Sequence, residues 1–274
     1  MERTSVTSAG SPELPPSLQI PLGRELRPLS DDDYDRHRRS LIVEGYGIEG
    51  QRRLAAARVL VVGAGGLGSP VLFYLAAVGV GTIYVSDADD VERSNLQRQF
   101  IHTEAGIGTP KNASAAAALR NLNSEIEVVP VGPATDESLD ALKDDIDLVM
   151  ECSDTFDTKY LVGDWCDRTG TPMVWASVMA MIWQTTIFWS APPAPWRPTR
   201  LRDLHAEPPR PGQVQTSHEI GVLGPVVGQV ASTQAVEAVK LIVGTGSPLY
   251  GRVLVGDART QTIDTLTYAR AIEG

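Results

Sequence analysis

The chain reads as an α/β fold: a doubly wound, mostly parallel sheet with helices on both faces and an antiparallel C-terminal extension. Three observations predict it. The first is a glycine-rich turn, Gly63-Ala64-Gly65-Gly66-Leu67-Gly68, set between an apolar run at 59–62 and a helical pattern at 69–78. The second is Asp87, just past the next apolar run at 83–86. It follows the turn by about 20 residues, the spacing of a nucleotide-binding βαβ unit. The third is the recurrence of short apolar runs and helical patterns as far as residue 177, which places successive strands in parallel with crossover helices between them. Together they make the sheet Rossmann-like.

The elements follow in order. Residues 1–30 are rich in Pro and Ser, lack apolar periodicity and read as a disordered tail, leaving 31–274 as one domain. Residues 31–54 are charged and helical, with Arg36, Arg38 and Arg39 clustered. After the glycine turn come an Ala-rich helix at 114–123 and a strand at 126–131. Helix 138–143 leads to strand 147–152, and helix 158–168 to strand 173–177. Residues 185–190 alternate weakly, as a strand of a different arrangement. The stretch 191–217 is irregular and carries Pro192, Pro193, Pro195, Pro198, Pro208, Pro209 and Pro211. A loop this long inside a compact domain is usually functional or mobile. A helix at 225–243 opens on Pro225, and 251–257 with 262–268 form a closing β-hairpin.

Composition narrows the function. With 24 Lys and Arg against 34 Asp and Glu, the net charge is −10, and no basic face marks a nucleic-acid binder. Hydrophobic residues make up 42% of the 274, enough for a substantial core. Residues 59–86 hold no charge, but their six glycines and Pro70 break the run, so it is not read as a membrane span. The N-terminus lacks the basic-then-apolar order of a secretory signal. Cys152 and Cys166 are too few for a disulfide framework, and a reduced cytoplasm is the expected compartment.

The glycine turn brings backbone N–H groups and a helix N-terminus to a phosphate, and Asp87 is placed to accept from ribose hydroxyls. Those residues alone do not separate NAD, FAD and ATP. Ser94-Asn95-Leu96-Gln97-Arg98-Gln99 and then Lys111 follow shortly after. A dehydrogenase has no need for Arg98 and Lys111 there, whereas phosphoryl or nucleotidyl transfer needs cations on phosphate oxygens. A solvated basic loop is the alternative. Glu151-Cys152-Ser153-Asp154-Thr155 ends a predicted parallel strand, on the edge where such sheets bind ligands. Asp154 is suited to Mg2+, or it caps the next helix.

These segments resemble the ThiF/MoeB family of adenylyltransferases, the bacterial relatives of ubiquitin-activating enzymes. The match runs in family order over residues 35–268 through Glu49-Gly50-Gln51-Arg52-Arg53, Arg58 to Gly68, Asp87 and Asp89, Ser94 to Gln99, Gly108 with Pro110 and Lys111, Cys152-Ser153-Asp154, and Gly221 to Pro225. The resemblance implies that a C-terminal carboxylate, most simply that of a small ubiquitin-like sulfur carrier ending in Gly-Gly, attacks the α-phosphate of ATP to give an acyl-adenylate and pyrophosphate. It implies Gly63, Gly65, Gly66 and Gly68 against the nucleotide, Asp87 on ribose, and Asp89 and Thr155 in the same site. Asn95, Arg98 and Lys111 fall on the phosphates, Asp154 on Mg2+, and Gln99 orients the loop. Arg39 matches an arginine that reaches the phosphates from the other subunit, which implies a homodimer.

Departures from the family are equally specific. Many relatives bind zinc through two C-x-x-C pairs. Here Pro195 and Pro198 fall on the first pair and the second is missing, so no zinc is expected. Ser217 stands where many relatives have a cysteine, so no covalent sulfur step is expected on that loop. Cys152 and Cys166 read as packed. Trp183 replaces a glycine and either fills the core, the preferred reading, or lines an acceptor channel. His102 reads as capping or packing. Adenylation of a peptide or small carboxylate is the alternative activity. An NAD-dependent oxidoreductase and a non-catalytic binding module are the readings from other classes.

Overall fold

The computed structural model describes residues 17–210, 212–215 and 217–269. Helices α1 (Asp31–His37) and α2 (Gly47–Ala56) precede strand β1 (Arg58–Val62). Then come α3 (Gly68–Ala77), β2 (Thr82–Ser86), α4 (Lys111–Leu122), β3 (Glu127–Val131), α5 (Asp136–Asp140), β4 (Leu148–Glu151), α6 (Phe156–Thr169) and β5 (Met173–Met179). The C-terminal part adds β6 (Ile182–Phe188), the short α7 (Leu201–Leu204) and α8 (Ser217–Ile220), the long α9 (Gly224–Val243), β7 (Arg252–Asp257) and β8 (Thr262–Thr267).

The described strands form one sheet in the order β3-β2-β1-β4-β5-β6-β7-β8, parallel through β5 and antiparallel from β5 onward. The expected mostly parallel sheet with an antiparallel C-terminal extension is what forms. β1 has β2 on one side and β4 on the other, so the crossovers leave it in opposite directions and a crevice opens at the carboxyl ends of these strands. Val62 is in register with both Ser86 and Glu151. Gly63, Asp87 and Cys152 therefore leave the sheet at one level.

Alternate strand residues feed opposite faces, as a period of two requires. Val59, Val61, Leu148, Met150 and Val174 pack with α3, α4 and α9, whereas Leu60, Val62, Val149, Met173 and Trp175 pack with α5 and α6. Cys152 belongs to the first cluster and Cys166 to the second, both buried. Burial pushes each thiol well up, so both are packed, inert groups.

Three local expectations need correction. Residues 1–16 of the expected tail lie outside the described residues, but 17–30 are not a free tail. Leu18, Ile20 and Leu22 alternate into the core. The Ile20 N–H donates to Leu241 O at 3.0 Å, the Gln19 amide to Val243 O at 2.7 Å, and Arg24 pairs with Asp147 at 2.5 Å. Three buried aliphatic side chains and an ion pair offset the ordering entropy that a Pro- and Ser-rich composition suggests would prevail. The Ala-rich helix starts at Lys111, because Pro110 supplies its N-cap position. The late strand spans Ile182–Phe188, longer and earlier than expected, and pairs antiparallel with β5.

Candidate active site

A cavity of about 690 Å³ occupies the crevice, within the range of ligand sites. The glycine turn, Asp87, Asp89, Asn95, Arg98, Gln99, Lys111, Asp154 and Thr155 line it. The structure thus brings together nearly every residue singled out from the sequence, from five separate segments. Two stand apart. Gly68 does not line the cavity, and Arg39 is exposed in the turn after α1, away from the lining.

The turn is shaped by two of its glycines. Gly63 has φ +96°, and a Cβ there would meet Cys152 O at 2.7 Å. A Cβ on Gly68 would lie 1.8 Å from Gly63 O. Gly68 therefore serves the contact between α3 and the turn, not the ligand. Gly65 and Gly66 face the cavity with ordinary contacts to Gln99, Arg98 and Val227.

Protein groups hold the turn from both sides. The Ala64 N–H donates to Asp87 Oδ2 at 2.7 Å and the Asp89 N–H to Asp87 Oδ1 at 2.9 Å. Each carboxylate oxygen keeps a second lone pair for a ribose hydroxyl. His102 Nε2 lies 3.0 Å from Ala64 O and Nδ1 lies 3.0 Å from Ser114 Oγ, so His102 braces the turn against α4. Burial lowers its pKa, with the Lys111 charge adding to the effect. The neutral imidazole is thus a structural donor, in line with its expected packing role.

The cationic side is prearranged. Lys111 Nζ, almost wholly buried at the start of α4, pairs with exposed Asp89 at 2.8 Å. Arg98, half-buried, donates to Ser94 O at 3.3 Å. Asn95 is buried and its Oδ1 accepts from the Glu92 N–H at 3.1 Å, which fixes the tight turn beneath Arg98. Gln99 Oε1 is buried with no protein donor among the described residues. It is a built acceptor on the cavity wall, fit for a ligand hydroxyl or amine.

Asp154 and Thr155 divide two duties. Thr155, not Asp154, caps α6, its Oγ1 accepting from the Thr158 N–H at 3.2 Å. The Asp154 carboxylate is exposed and lines the cavity. No group of three or more His, Cys, Asp and Glu among the described residues forms a metal cage. Asp154, which lines the same cavity as Asp87 and Asp89, fits Mg2+ carried in by a polyphosphate, since Mg2+ takes one or two carboxylates plus phosphate oxygens.

Sequence reasoning missed Lys159 and left Glu151 without a role. Lys159 Nζ lies 2.5 Å from Glu151 Oε2; both side chains are buried, and Lys159 lines the cavity. The pair joins β4 to the second turn of α6, a spacing that no sequence pattern flags.

Two departures resolve. Trp183 is buried in the core, where Gly256 leaves room for its ring, and it does not line the cavity. Around 194–198, Trp196 packs edge-on against Tyr250 at 5.5 Å, and the Tyr250 hydroxyl lies 2.6 Å from Arg197 O and 2.8 Å from Trp189 O, within reach to donate its one proton to either. Pro195 and Pro198 offer no zinc ligand, so the donor set there does not fit that metal. Ser217 opens α8.

A model of the ThiF family matches residues 37–272. The chain belongs to the ThiF family. Among ThiF-like relatives, it is 44% identical over 235 residues to "SAMP-activating enzyme E1" of Haloferax volcanii, covering 85% of each chain. It is 39% identical to "Sulfur carrier protein adenylyltransferase" of Thermus thermophilus, covering 87% of this chain and 89% of that one. It is 43% identical to "Probable adenylyltransferase/sulfurtransferase MoeZ" of Mycobacterium tuberculosis over 90% of its own length but 63% of that protein's. The chain thus spans under two thirds of MoeZ. In fold it resembles E. coli MccB solved with ATP, at a TM-score of 0.71 and 22% identity over 88% of this chain and 73% of that one.

Proposed function

We propose that the chain is an ATP-dependent adenylyltransferase that activates the C-terminal carboxylate of a small ubiquitin-like sulfur carrier. The carrying observation is the convergence of Arg98, Lys111 and Asp154 with Asp87 and Gln99 on one cavity at the β1/β4 crevice. Two relatives that match over most of both lengths are named for this kind of chemistry, which supports the reading.

The chemistry suits the groups present. A carboxylate is ionised near neutral pH, so no general base is needed. Its oxygen forms a bond to the α-phosphorus while the bond to the bridging oxygen of pyrophosphate breaks. Charge grows on the phosphate oxygens, where Arg98 and Lys111 neutralise it. The N-terminus of α3 and the N–H groups of the turn hold the phosphates in place, and Asp87 and Gln99 fix the nucleoside. Bound Mg2+ would supply further Lewis-acid neutralisation, with Asp154 holding it. Arg39, outside its own cavity, serves the partner's site in a homodimer. The aromatic clasp at 194–198 takes the place of zinc, and the buried thiols suit a reducing cytoplasm.

ATP–pyrophosphate exchange with candidate carboxylates tests the reading. Exchange that requires Mg2+ and falls about 10²–10³-fold in Arg98→Ala and Lys111→Ala supports it. A peptide or small acid that outperforms every Gly-Gly protein moves the acceptor class. Tight NAD binding without exchange overturns the reading. Mixing Arg39→Ala with Lys111→Ala chains restores activity only if Arg39 acts across the dimer. Stoichiometric zinc would refute the zinc-free clasp.

A further inference from the structure

We propose that Lys159 and Glu151 are a positioning pair that presets the Ser153–Asp154 corner and ties it to the adjacent strand β5. Glu151 ends β4 and is wholly buried. Its Oε2 accepts from Lys159 Nζ at 2.5 Å. Its Oε1 accepts from the Ser153 N–H at 2.9 Å and from the Ser153 hydroxyl. One carboxylate thus fixes the backbone immediately before Asp154.

Lys159 closes the circuit. It projects from α6, whose cap is Thr155, the residue after Asp154. Its ammonium also donates to Ala176 O on β5 at 2.8 Å and lies 5.7 Å from the centre of the Trp175 ring. Ala176 precedes Ser177, Val178 and Met179, which also line the cavity. The corner between β4 and α6 is therefore held on three sides, by Glu151, by the Thr155 cap and by β5 through Lys159.

A direct role for Lys159 on a phosphate fits less well. An ammonium has three protons. One points to Glu151, one to Ala176 O, and the ring face of Trp175 takes up the remaining positive edge. Moving Nζ onto a ligand would strand the buried Glu151 charge, which is costly. Lys111 differs, because its partner Asp89 is 71% exposed and loses little when the lysine turns to a ligand.

The inference rests on the proposed Mg2+–nucleotide site at Asp154, and its test is a binding measurement that does not need turnover. Titrate ATP into the protein by calorimetry at a series of Mg2+ concentrations, and again in EDTA. Lys159→Met is expected to raise the half-saturating Mg2+ concentration about 10–100-fold, the usual effect of losing a group that orients a metal ligand. Its affinity for ATP in EDTA should change little, and Lys159→Arg should recover most of the loss. The double variant Glu151→Gln/Lys159→Met removes the stranded charge and should bind Mg2+–ATP better than Lys159→Met alone.

An unchanged Mg2+ requirement in Lys159→Met overturns the inference, as does an equal loss of ATP affinity with and without Mg2+, the mark of a direct phosphate ligand. If Lys159→Met does not fold, Glu151→Gln asks the same question, because the neutral amide keeps the shape but weakens the hold on Ser153 and Lys159. Wild-type protein that binds Mg2+–ATP but exchanges no pyrophosphate defeats the adenylation reading and leaves this one standing.

Discussion

Gly68→Ala isolates the packing role of the last glycine of the turn from ligand binding. The added Cβ would sit 1.8 Å from Gly63 O, whereas real Cβ atoms essentially never approach another heavy atom within 3.0 Å. Something must move by more than an ångström. Gly63 cannot yield easily: its N–H donates to Ser86 O at 2.7 Å, and its own Cβ position is filled by Cys152 O at 2.7 Å. The alternative is to lift α3, whose Val71, Leu72, Leu75 and Ala76 are wholly buried. Forcing one methyl into such packing costs about 1–3 kcal/mol. The displaced turn also swings the Ala64 N–H away from Asp87 Oδ2, so nucleotide affinity should fall together with stability. Gly228→Ala is the matched control. It lies within α9 and an added Cβ meets nothing within 4 Å, so it should gain about 1 kcal/mol from helix propensity. Urea unfolding and ATP titration measure both effects. Gly68→Ala with wild-type midpoint and affinity would show that the turn does not depend on this contact.

Three further outcomes follow from the structure. Trp183→Ala should destabilise by about 3–5 kcal/mol, as for a buried indole, yet leave nucleotide affinity unchanged; a shifted affinity would return Trp183 to the site. Tyr250→Phe removes the hydroxyl's bond to the 189–197 backbone and should cost about 1 kcal/mol in urea unfolding, with a wild-type midpoint refuting the clasp. His37, His102 and His205 all titrate below the ordinary 6.5, chiefly through burial, so the unfolded chain takes up protons first. Stability should hold steady above about pH 7 and fall as pH drops through 6.5, until the folded imidazoles protonate as well. The Arg27 guanidinium beside Asp33 holds that carboxyl to about 2, which adds a second decline below its ordinary 3.8. A urea midpoint that stays constant from pH 7.5 to 5 at fixed salt would contradict the histidine part.

The fold was legible where periodicity and glycine chemistry spoke together. Gly63 to Gly68 and Asp87 marked one βαβ unit, and the recurring apolar runs supplied its parallel neighbours. The tail was misjudged because composition outweighed a short period-two signal: Leu18, Ile20 and Leu22 were visible as an alternating triplet among prolines and serines. The Ala-rich run marks only the middle of α4, whereas Pro110 stands at its cap, and that shift of three residues puts Lys111 on the helix N-terminus, lining the cavity. The Asp154 corner shows a different limit. Asp154 could be singled out from its place after a parallel strand, but whether it or Thr155 caps α6 depends on side-chain rotamers. The Glu151–Lys159 pair depends on how a corner folds back, and neither is written in residue spacing.

These corrections bear on where acceptor choice resides. The nucleotide end of the cavity is held by protein groups at every loop: Asp87 and His102 on the turn, Asn95 beneath Arg98, and Glu151 behind Ser153. Such preorganisation lowers the entropic cost of binding and leaves little freedom for variation between acceptors. Trp183, the most conspicuous departure from the family pattern, is spent on filling space beside Gly256 and has no route to the ligand. The end of β5, Ser177 to Met179, and Val222 also line the cavity. There Ala180, at φ +51°, turns the hairpin, and its N–H donates to Gly221 O at 3.1 Å. Val178, Met179 and Val222 are apolar and partly exposed, and β5 is tied to Glu151 through Ala176 and Lys159. Under the proposed adenylation, substitutions at Val178, Met179 or Val222 are expected to change which carboxylate supports ATP–pyrophosphate exchange while leaving ATP affinity unchanged; an equal effect on every acceptor would refute this role.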